Sequence, residues 1–317
     1  MTEHLHFIDP AQLAQISDLS LLARTVVDGF LAGIHRSPHS GSAIEFAQYR
    51  PYTQDDDPRR VDWKLYARAD RLHIKQYQEE TNMRCTILLD CSASMDYTSG
   101  PVSKFDYARM LAACLAMILH KQRDAGGLIA YHEQIQVYLP PRSDPRHLQR
   151  TLVELQNLRP SGKTNALGAL KRLGEALQPR GMVALISDLL HPADEVVDHL
   201  KSLRAKRHDV IVLQVSDPAE QTFPFDKATT FVDAEDAAER FTVPEQARAE
   251  YLENRLRHFS AIRRECLSAE IDVQEFATSE PLDRALHFFL RRRNDSLLTS
   301  SLRRPRSGTG RATGGRR

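Results

Sequence analysis

Three short and almost wholly apolar runs constrain the fold of this chain more than any other feature: Cys85–Leu89, Met182–Ile186 and Val210–Val215. A half-exposed strand alternates apolar with polar residues, whereas a strand buried on both faces is apolar throughout. Segments with helical periodicity separate the three runs. This alternation of buried strands and helices predicts an α/β fold, Rossmann-like and doubly wound, with a mainly parallel sheet covered by helices on both faces.

The remaining elements follow from periodicity and turn signals. Residues 10–35 have the apolar spacing of a helix, and Ser103 is the expected N-cap of a helix that ends near Lys121. Two short strands at 128–131 and 135–138 are close enough in sequence to form a hairpin. Other predicted helices span 147–158, 166–177, 193–205, 246–267 and 281–291, and other predicted strands span 72–77 and 271–273.

The composition is that of a soluble globular chain. Of its 317 residues, 41% are hydrophobic, and the longest apolar run, Met110–Leu119, is too short to cross a bilayer. The four cysteines form no CxxC pair, which argues against a zinc knuckle and suits a reducing compartment. The first ten residues show no signal-peptide pattern. We therefore expect a cytoplasmic protein without a membrane span.

Changes in composition divide the chain into three parts. Residues 1–80 form an N-terminal extension with a helix, a charged segment and a strand, and residues 81–293 carry the α/β pattern. Residues 294–317 lose periodicity and are rich in Ser, Gly, Thr and Arg, which predicts a disordered basic tail. Residues 291–317 hold nine Arg and one Asp, a net charge of +8, so the rest of the chain sums to −7 of the total of +1.

Polar oxygen donors follow the predicted strands at one edge of the sheet. Asp90, Ser92 and Ser94 come after the first apolar run, Asp188 comes after the second, and Thr164 lies in a loop between them. Ligands of open α/β sheets bind at the carboxyl ends of strands, where the strand order reverses. Few carboxylates with several hydroxyls suit Mg²⁺ or Mn²⁺, with water completing the coordination.

In this arrangement the sequence resembles the von Willebrand factor A family. The metal-ion-dependent adhesion site of that family reads D-x-S-x-S, then a later Thr, then an Asp after the fourth strand, and the five residues match in order. The resemblance implies that Ser92 and Ser94 bind the metal directly and that Thr164 binds directly or through water. Asp90 and Asp188 would act through water, leaving one position open for a carboxylate of a partner protein.

The charged segment upstream of the first run, YRPYTQDDDPRRVDWK at 49–64, narrows the resemblance. It is similar to the signature of DUF58, an uncharacterised bacterial family with von Willebrand A-like domains, and the likeness covers roughly residues 40–290. Such proteins are often paired with MoxR-type AAA+ ATPases, which would make a MoxR-type ATPase the partner. The charged residues from Asp55 to Arg71 predict a solvated face, an internal ion-pair network that docks the N-terminal segment on the α/β domain, or a partner-binding surface. The candidate residues of that surface are Arg59, Arg60, Asp62, Trp63 and Lys64.

Other interpretations of the same residues remain open. A lone D-x-S-x-S is most often a helix-capping turn, and a site of this kind can also keep its residues and bind metal weakly. A divalent-metal hydrolase of the phosphatase type would use the same carboxylate edge. It needs a general base or a second metal, and Asp90 and Asp188 are already assigned to one ion. We therefore expect a protein-interaction domain with no catalytic residues.

Nucleotide and nucleic-acid binding are weaker alternatives. Ser161-Gly162-Lys163-Thr164 resembles the end of a P-loop, but Asn157 stands where the motif needs its first glycine. The arginine-rich tail could contact nucleic acid or anionic lipid, yet it lacks interleaved aromatic residues for stacking on bases. Nucleic acid is therefore not an expected partner.

Overall fold

A six-stranded sheet forms the centre of the protein in the computed structural model. The strand order is β10-β7-β6-β3-β4-β5, and every neighbouring pair is parallel except β4 and β5. The strands are β3 (Arg84–Asp90), β4 (Ala125–Tyr131), β5 (Ile135–Arg142), β6 (Met182–Ser187), β7 (Asp209–Ser216) and β10 (Asp272–Ala277). The structure describes residues 9–36, 48–51, 66, 72–76, 83–162, 180–234 and 238–302.

Helices cover both faces of this sheet. Alternate side chains of each strand point to opposite faces, so Ile87 and Leu89 pack in one apolar cluster and Leu88 in the other. The first cluster contains residues of α2 (Leu19–Arg36), α3 (Lys104–Lys121), α4 (Pro145–Asn157) and α8 (Leu282–Leu302). The second contains residues of α5 (Ala193–Ala205) and α7 (Pro244–Ser268). The predicted α/β class and mainly parallel sheet are confirmed.

Small elements complete the described part of the chain. The helices are α1 (Pro10–Leu13), a 3₁₀ helix (Ala93–Asp96) and α6 (Pro218–Thr222). Two antiparallel pairs lie outside the main sheet: β1 (Gln48–Pro51) with β2 (His73–Gln76), and β8 (Thr229–Val232) with β9 (Glu239–Thr242).

Three local predictions need correction. The periodic stretch 10–35 is broken into α1 and α2, because Asp18 accepts hydrogen bonds from the backbone N–H groups of Ser20 and Leu21 and starts a new helix. The hairpin of β8 and β9 was not predicted. Helix α8 does not end at Arg291 but continues to Leu302, since buried Arg293 anchors it through Asp124. The part of the predicted tail beyond 302 lies outside the described residues, and the three-part division of the chain stays a prediction.

Strand order places the candidate site. After β3 the chain adds β4 on one side, and β6 returns on the other side of β3. The gap between the ends of β3 and β6 is therefore the point where the strand order reverses. Asp90 is the last residue of β3, and Asp188 directly follows β6. On the far side of β6, Asp217 directly follows β7. Three neighbouring strands thus each present a carboxylate at the same edge.

Candidate functional site

Asp90 lies at the centre of this edge and is fully buried. One carboxylate oxygen, Oδ1, accepts a hydrogen bond from the backbone N–H of Ser92 at 2.9 Å. The other, Oδ2, accepts one from the hydroxyl of Ser187 at 2.7 Å. Ser187 is the last residue of β6, so the side chain of Asp90 ties the ends of two neighbouring strands together. Within the described residues, no lysine or arginine pairs with Asp90.

The two serines of the motif converge. The chain leaves β3 through Cys91, whose N–H donates to the carbonyl of Tyr131 at 2.7 Å. Ser92 is then extended at the N-cap of the 3₁₀ helix, with φ −64° and ψ 161°. This turn brings the hydroxyl oxygens of Ser92 and Ser94 to 3.0 Å from each other. Ser92 is buried and Ser94 is half-buried, so the pair lies at the boundary between the sheet edge and the surface.

Asp188 is buried and paired with a lysine that the sequence analysis did not single out. Its Oδ2 lies 2.8 Å from the ammonium nitrogen of Lys104. Lys104 is the first residue of α3, and its side chain is 1% exposed. The same nitrogen lies 2.6 Å from Oε1 of Glu220. One buried cation therefore joins the edge of β6 to the turn after β7.

That turn is itself a tightly bonded unit. Asp217 and Glu220 form a capping box around α6: Ala219 N–H donates to Asp217 at 2.8 Å, and Asp217 N–H donates to Glu220 at 3.0 Å. Ser99, from the loop before α3, donates its backbone N–H to Asp217 at 2.8 Å and its hydroxyl to the same carboxylate. Lys104 and Ser99 thus attach the start of α3 to the α6 turn at two points.

The electrostatics of the edge reflect its burial. Burial raises the pKa of the Asp90 carboxyl, and the neighbouring charge of Asp188 raises it further, while hydrogen bonds from Ser187 and Ser92 oppose the shift without cancelling it. Burial alone would lower the pKa of Lys104, but Asp188 and Glu220 outweigh that effect and raise it to about 12. The ammonium is therefore charged at neutral pH. For Asp90, burial and the neighbouring charge of Asp188 both disfavour the ionised form.

These residues fit a hard divalent cation. Two hydroxyls in contact beside two buried carboxylates are the mixed oxygen set that Mg²⁺ and Mn²⁺ accept. Burial, and after it the charge of Asp188, disfavours the ionised form of Asp90, and a cation bound beside it would offset both effects. In the described part of the chain, no group of three or more His, Cys, Asp or Glu side chains has metal-binding geometry. The ammonium of Lys104, 2.8 Å from Asp188, opposes a metal at this edge.

The structure brings four of the five predicted ligands to the edge of the sheet where β3 and β6 end. These four are Asp90, Ser92, Ser94 and Asp188. The fifth, Thr164, lies outside the described residues. The loop that leads to it is described: Ser161 N–H donates to the carbonyl of Cys91 at 2.9 Å, and the carbonyl of Gly162 accepts from Ala93 N–H at 3.1 Å. The candidate partner-binding residues Arg59, Arg60, Asp62, Trp63 and Lys64 also lie outside the described residues.

Sequence reasoning missed Lys104 and Glu220. The sequence Asp217-Pro-Ala-Glu220 is a readable capping box and could have located the α6 turn. Lys104 carried a weaker signal, a lysine at the first position of a helix whose middle, 110–119, is wholly apolar. No local pattern indicates that its ammonium reaches residues far away in sequence.

Comparisons with known proteins identify a family for this chain. The family model "Protein of unknown function DUF58" matches residues 48–261. An uncharacterized protein of Mycobacterium tuberculosis is 28% identical over 238 residues, which cover 73% of this chain and 74% of that protein.

Two solved structures are similar in fold. An aerotolerance-related membrane protein from Bacteroides fragilis has a TM-score of 0.50 at 17% identity, over 67% of this chain and 99% of its own. The VWA domain of SpRpn10 has a TM-score of 0.40 at 12% identity, over 64% of this chain and 94% of that domain.

The comparisons also correct the predicted localisation. We expected a cytoplasmic protein, but the similar Bacteroides fragilis structure is that of a membrane protein, and that prediction is wrong. It failed because it was drawn from missing signals at the N-terminus and from short apolar runs. Among the described residues, no helix has both the length and the apolar character needed to cross a bilayer. The match of the family model over two thirds of the sequence shows that this chain belongs to the DUF58 family.

Proposed function

We propose that this chain is a metal-dependent protein-interaction domain that presents a Mg²⁺ or Mn²⁺ ion to a carboxylate of a partner protein. The observation that carries the proposal is the contact between the Ser92 and Ser94 hydroxyls, 3.0 Å apart, at the end of the strand that also carries buried Asp90. Asp188 lies at the end of the neighbouring strand. The von Willebrand A-like fold, which is generally a protein-interaction fold, supports this assignment.

Each residue of the edge would have a distinct role. The Ser92 and Ser94 hydroxyls would hold the ion, with Thr164 as a further ligand. Asp90 is fixed by Ser92 N–H and Ser187, so its negative charge stays in place without needing direct coordination. A bound ion with few anionic ligands supplies an electrophilic centre that an Asp or Glu side chain can occupy. The half-buried position of Ser94 leaves the site within reach of a partner.

The identity of the partner is a separate part of the proposal. The family resemblance favours a MoxR-type AAA+ ATPase, with which this chain would assemble or remodel a client protein. The segment containing Arg59, Arg60, Asp62, Trp63 and Lys64 would provide a second contact surface. A cluster of charges around one tryptophan suits an interface, because an aromatic side chain anchors while charges select the partner.

Calorimetric titration of Mg²⁺ and Mn²⁺ into the purified chain tests the metal site. We expect saturable binding by the wild type and its loss in the double variant Ser92→Ala, Ser94→Ala. Ser143→Ala is the matched control, since this serine is exposed and lies after β5 on a different part of the surface.

Two results would decide against the proposal. Folded wild-type protein that binds neither ion would exclude metal dependence. Binding that survives in the double variant would place the ion elsewhere and remove the hydroxyl pair from the account.

A further inference from the structure

The lysine at the start of α3 is an unusual feature for a site that holds a divalent cation. Lys104 is 1% exposed, and its ammonium lies 2.8 Å from Asp188, one of the carboxylates assigned to the ion. A buried lysine is rare unless it is paired. Here the ammonium is paired twice, with Asp188 at 2.8 Å and with Glu220 at 2.6 Å. The edge therefore already contains one cation of its own.

The two partners of Lys104 belong to different parts of the molecule. Asp188 lies beside Asp90, close enough for its charge to raise the pKa of Asp90. Glu220 belongs to the α6 turn, where its other oxygen accepts from Asp217 N–H at 3.0 Å. The ammonium donates to both at once. The ring of Tyr97 lies 5.8 Å from the same nitrogen, so the charge has a favourable environment on the Glu220 side of the site as well.

Two cations that share one carboxylate compete for it. A metal ion near Asp188 gains less when that carboxylate is already neutralised, and it is repelled by the ammonium itself. Glu220 acts in the opposite direction. Because it offers Lys104 a second anion, it lowers the free energy needed to withdraw the ammonium from Asp188. The contacts of Lys104 with Asp188 and Glu220 thus predict opposite effects on metal affinity for Lys104 and Glu220.

We propose that Lys104 sets the metal affinity of this site by competing with the ion for Asp188, and that Glu220 raises that affinity by holding Lys104 when the ion binds. This inference rests on the proposed metal site and names how the site is regulated. It makes Lys104 a positioning residue that acts on the ion through Asp188. It also couples metal occupancy to the turn formed by Asp217 and Glu220.

The test is a calorimetric Mn²⁺ titration of full-length variants. Lys104→Met removes the charge and keeps an unbranched side chain that is one atom shorter, and we expect roughly tenfold tighter Mn²⁺ binding. Glu220→Gln keeps a capping-box residue but leaves Lys104 with Asp188 alone, and we expect several-fold weaker binding. Lys121→Met is the matched control in the same helix, where the lysine pairs with Asp28 on the surface, and its affinity should equal that of the wild type.

The outcomes separate this inference from the proposed function. Mn²⁺ binding by the wild type with no tightening in folded Lys104→Met would overturn the inference alone. Binding in Lys104→Met but not in the wild type would support the inference and overturn metal dependence of the natural chain. If neither binds, both are overturned. Circular dichroism shows whether Lys104→Met folds, and if it does not, Glu220→Gln decides, since unchanged affinity in that variant contradicts the competition.

Discussion

Replacing Asp90 by Asn should stabilise the metal-free protein while it removes metal binding. The carboxylate of Asp90 is fully buried, and its negative charge lies near that of Asp188. Within the described residues no cation pairs with it. Burying a charge in this way has an effective cost of several kcal/mol. The two hydrogen bonds from Ser92 N–H and Ser187 return about 1.5–3 kcal/mol each, as bonds to a charged group do.

Asn keeps the shape of the side chain and can accept from Ser92 N–H while it removes the charge. Relief of the charge therefore exceeds the weakening of the hydrogen bonds by a small margin, and we expect a gain of about 1–2 kcal/mol in the free energy of unfolding. For a domain of this size, that gain corresponds to a rise in Tm of about 2–8 °C.

Scanning calorimetry with a metal chelator measures the effect, and a second scan with Mn²⁺ should raise the Tm of the wild type and leave that of Asp90→Asn unchanged. Asp96→Asn is the control, because Asp96 is an exposed carboxylate on the same turn and should change Tm very little. A lower Tm for metal-free Asp90→Asn would refute the reasoning, since it would mean that the fold needs this charge rather than tolerating it.

Three further predictions concern the framework. Arg293→Met should lower the free energy of unfolding, measured in urea, by about 3–5 kcal/mol, because it leaves Asp124, 1% exposed, without its cation. The second substitution Asp124→Asn should restore most of that loss. In the same assay, Gly181→Ala should lower the free energy of unfolding by about 1–3 kcal/mol, since the new Cβ would lie 2.5 Å from the carbonyl oxygen of Arg84. Burial lowers the pKa of His147 below its ordinary value, so the folded protein takes up this proton less readily than the unfolded chain does. Tm should therefore decrease as the pH falls from 7 towards 5, and the decrease should be smaller in His147→Gln.

The sheet and the position of the site were open to prediction because they depend on local patterns. Continuous apolar runs are characteristic of strands buried on both faces, and they located β3, β6 and β7. The N-cap at Ser103 was readable too, and its side chain accepts from Asp106 N–H. Once the strands are parallel, residues that follow them must share an edge, which is why Asp90 and Asp188 could be paired from sequence alone.

The ion pairs of the site were not predictable in the same way. Lys104 meets Asp188 and Glu220 across 84 and 116 positions of the chain, and no local periodicity encodes such contacts. Helix α8 shows the same limitation. Polar residues predominate in its last turns, RRRNDSLLTSSL at 291–302, so the periodic pattern ends at Arg291. The buried pair of Arg293 with Asp124 nevertheless extends the packed part of the helix. Tertiary contacts, rather than propensity, decided both cases.

The most direct test of the account is an anomalous difference map from crystals of this protein grown with Mn²⁺. The account predicts one strong peak beside the hydroxyls of Ser92 and Ser94, with the carboxylates of Asp90 and Asp188 surrounding it. A peak elsewhere, or none at this edge in crystals soaked well above the measured dissociation constant, would contradict a metal-dependent interaction site.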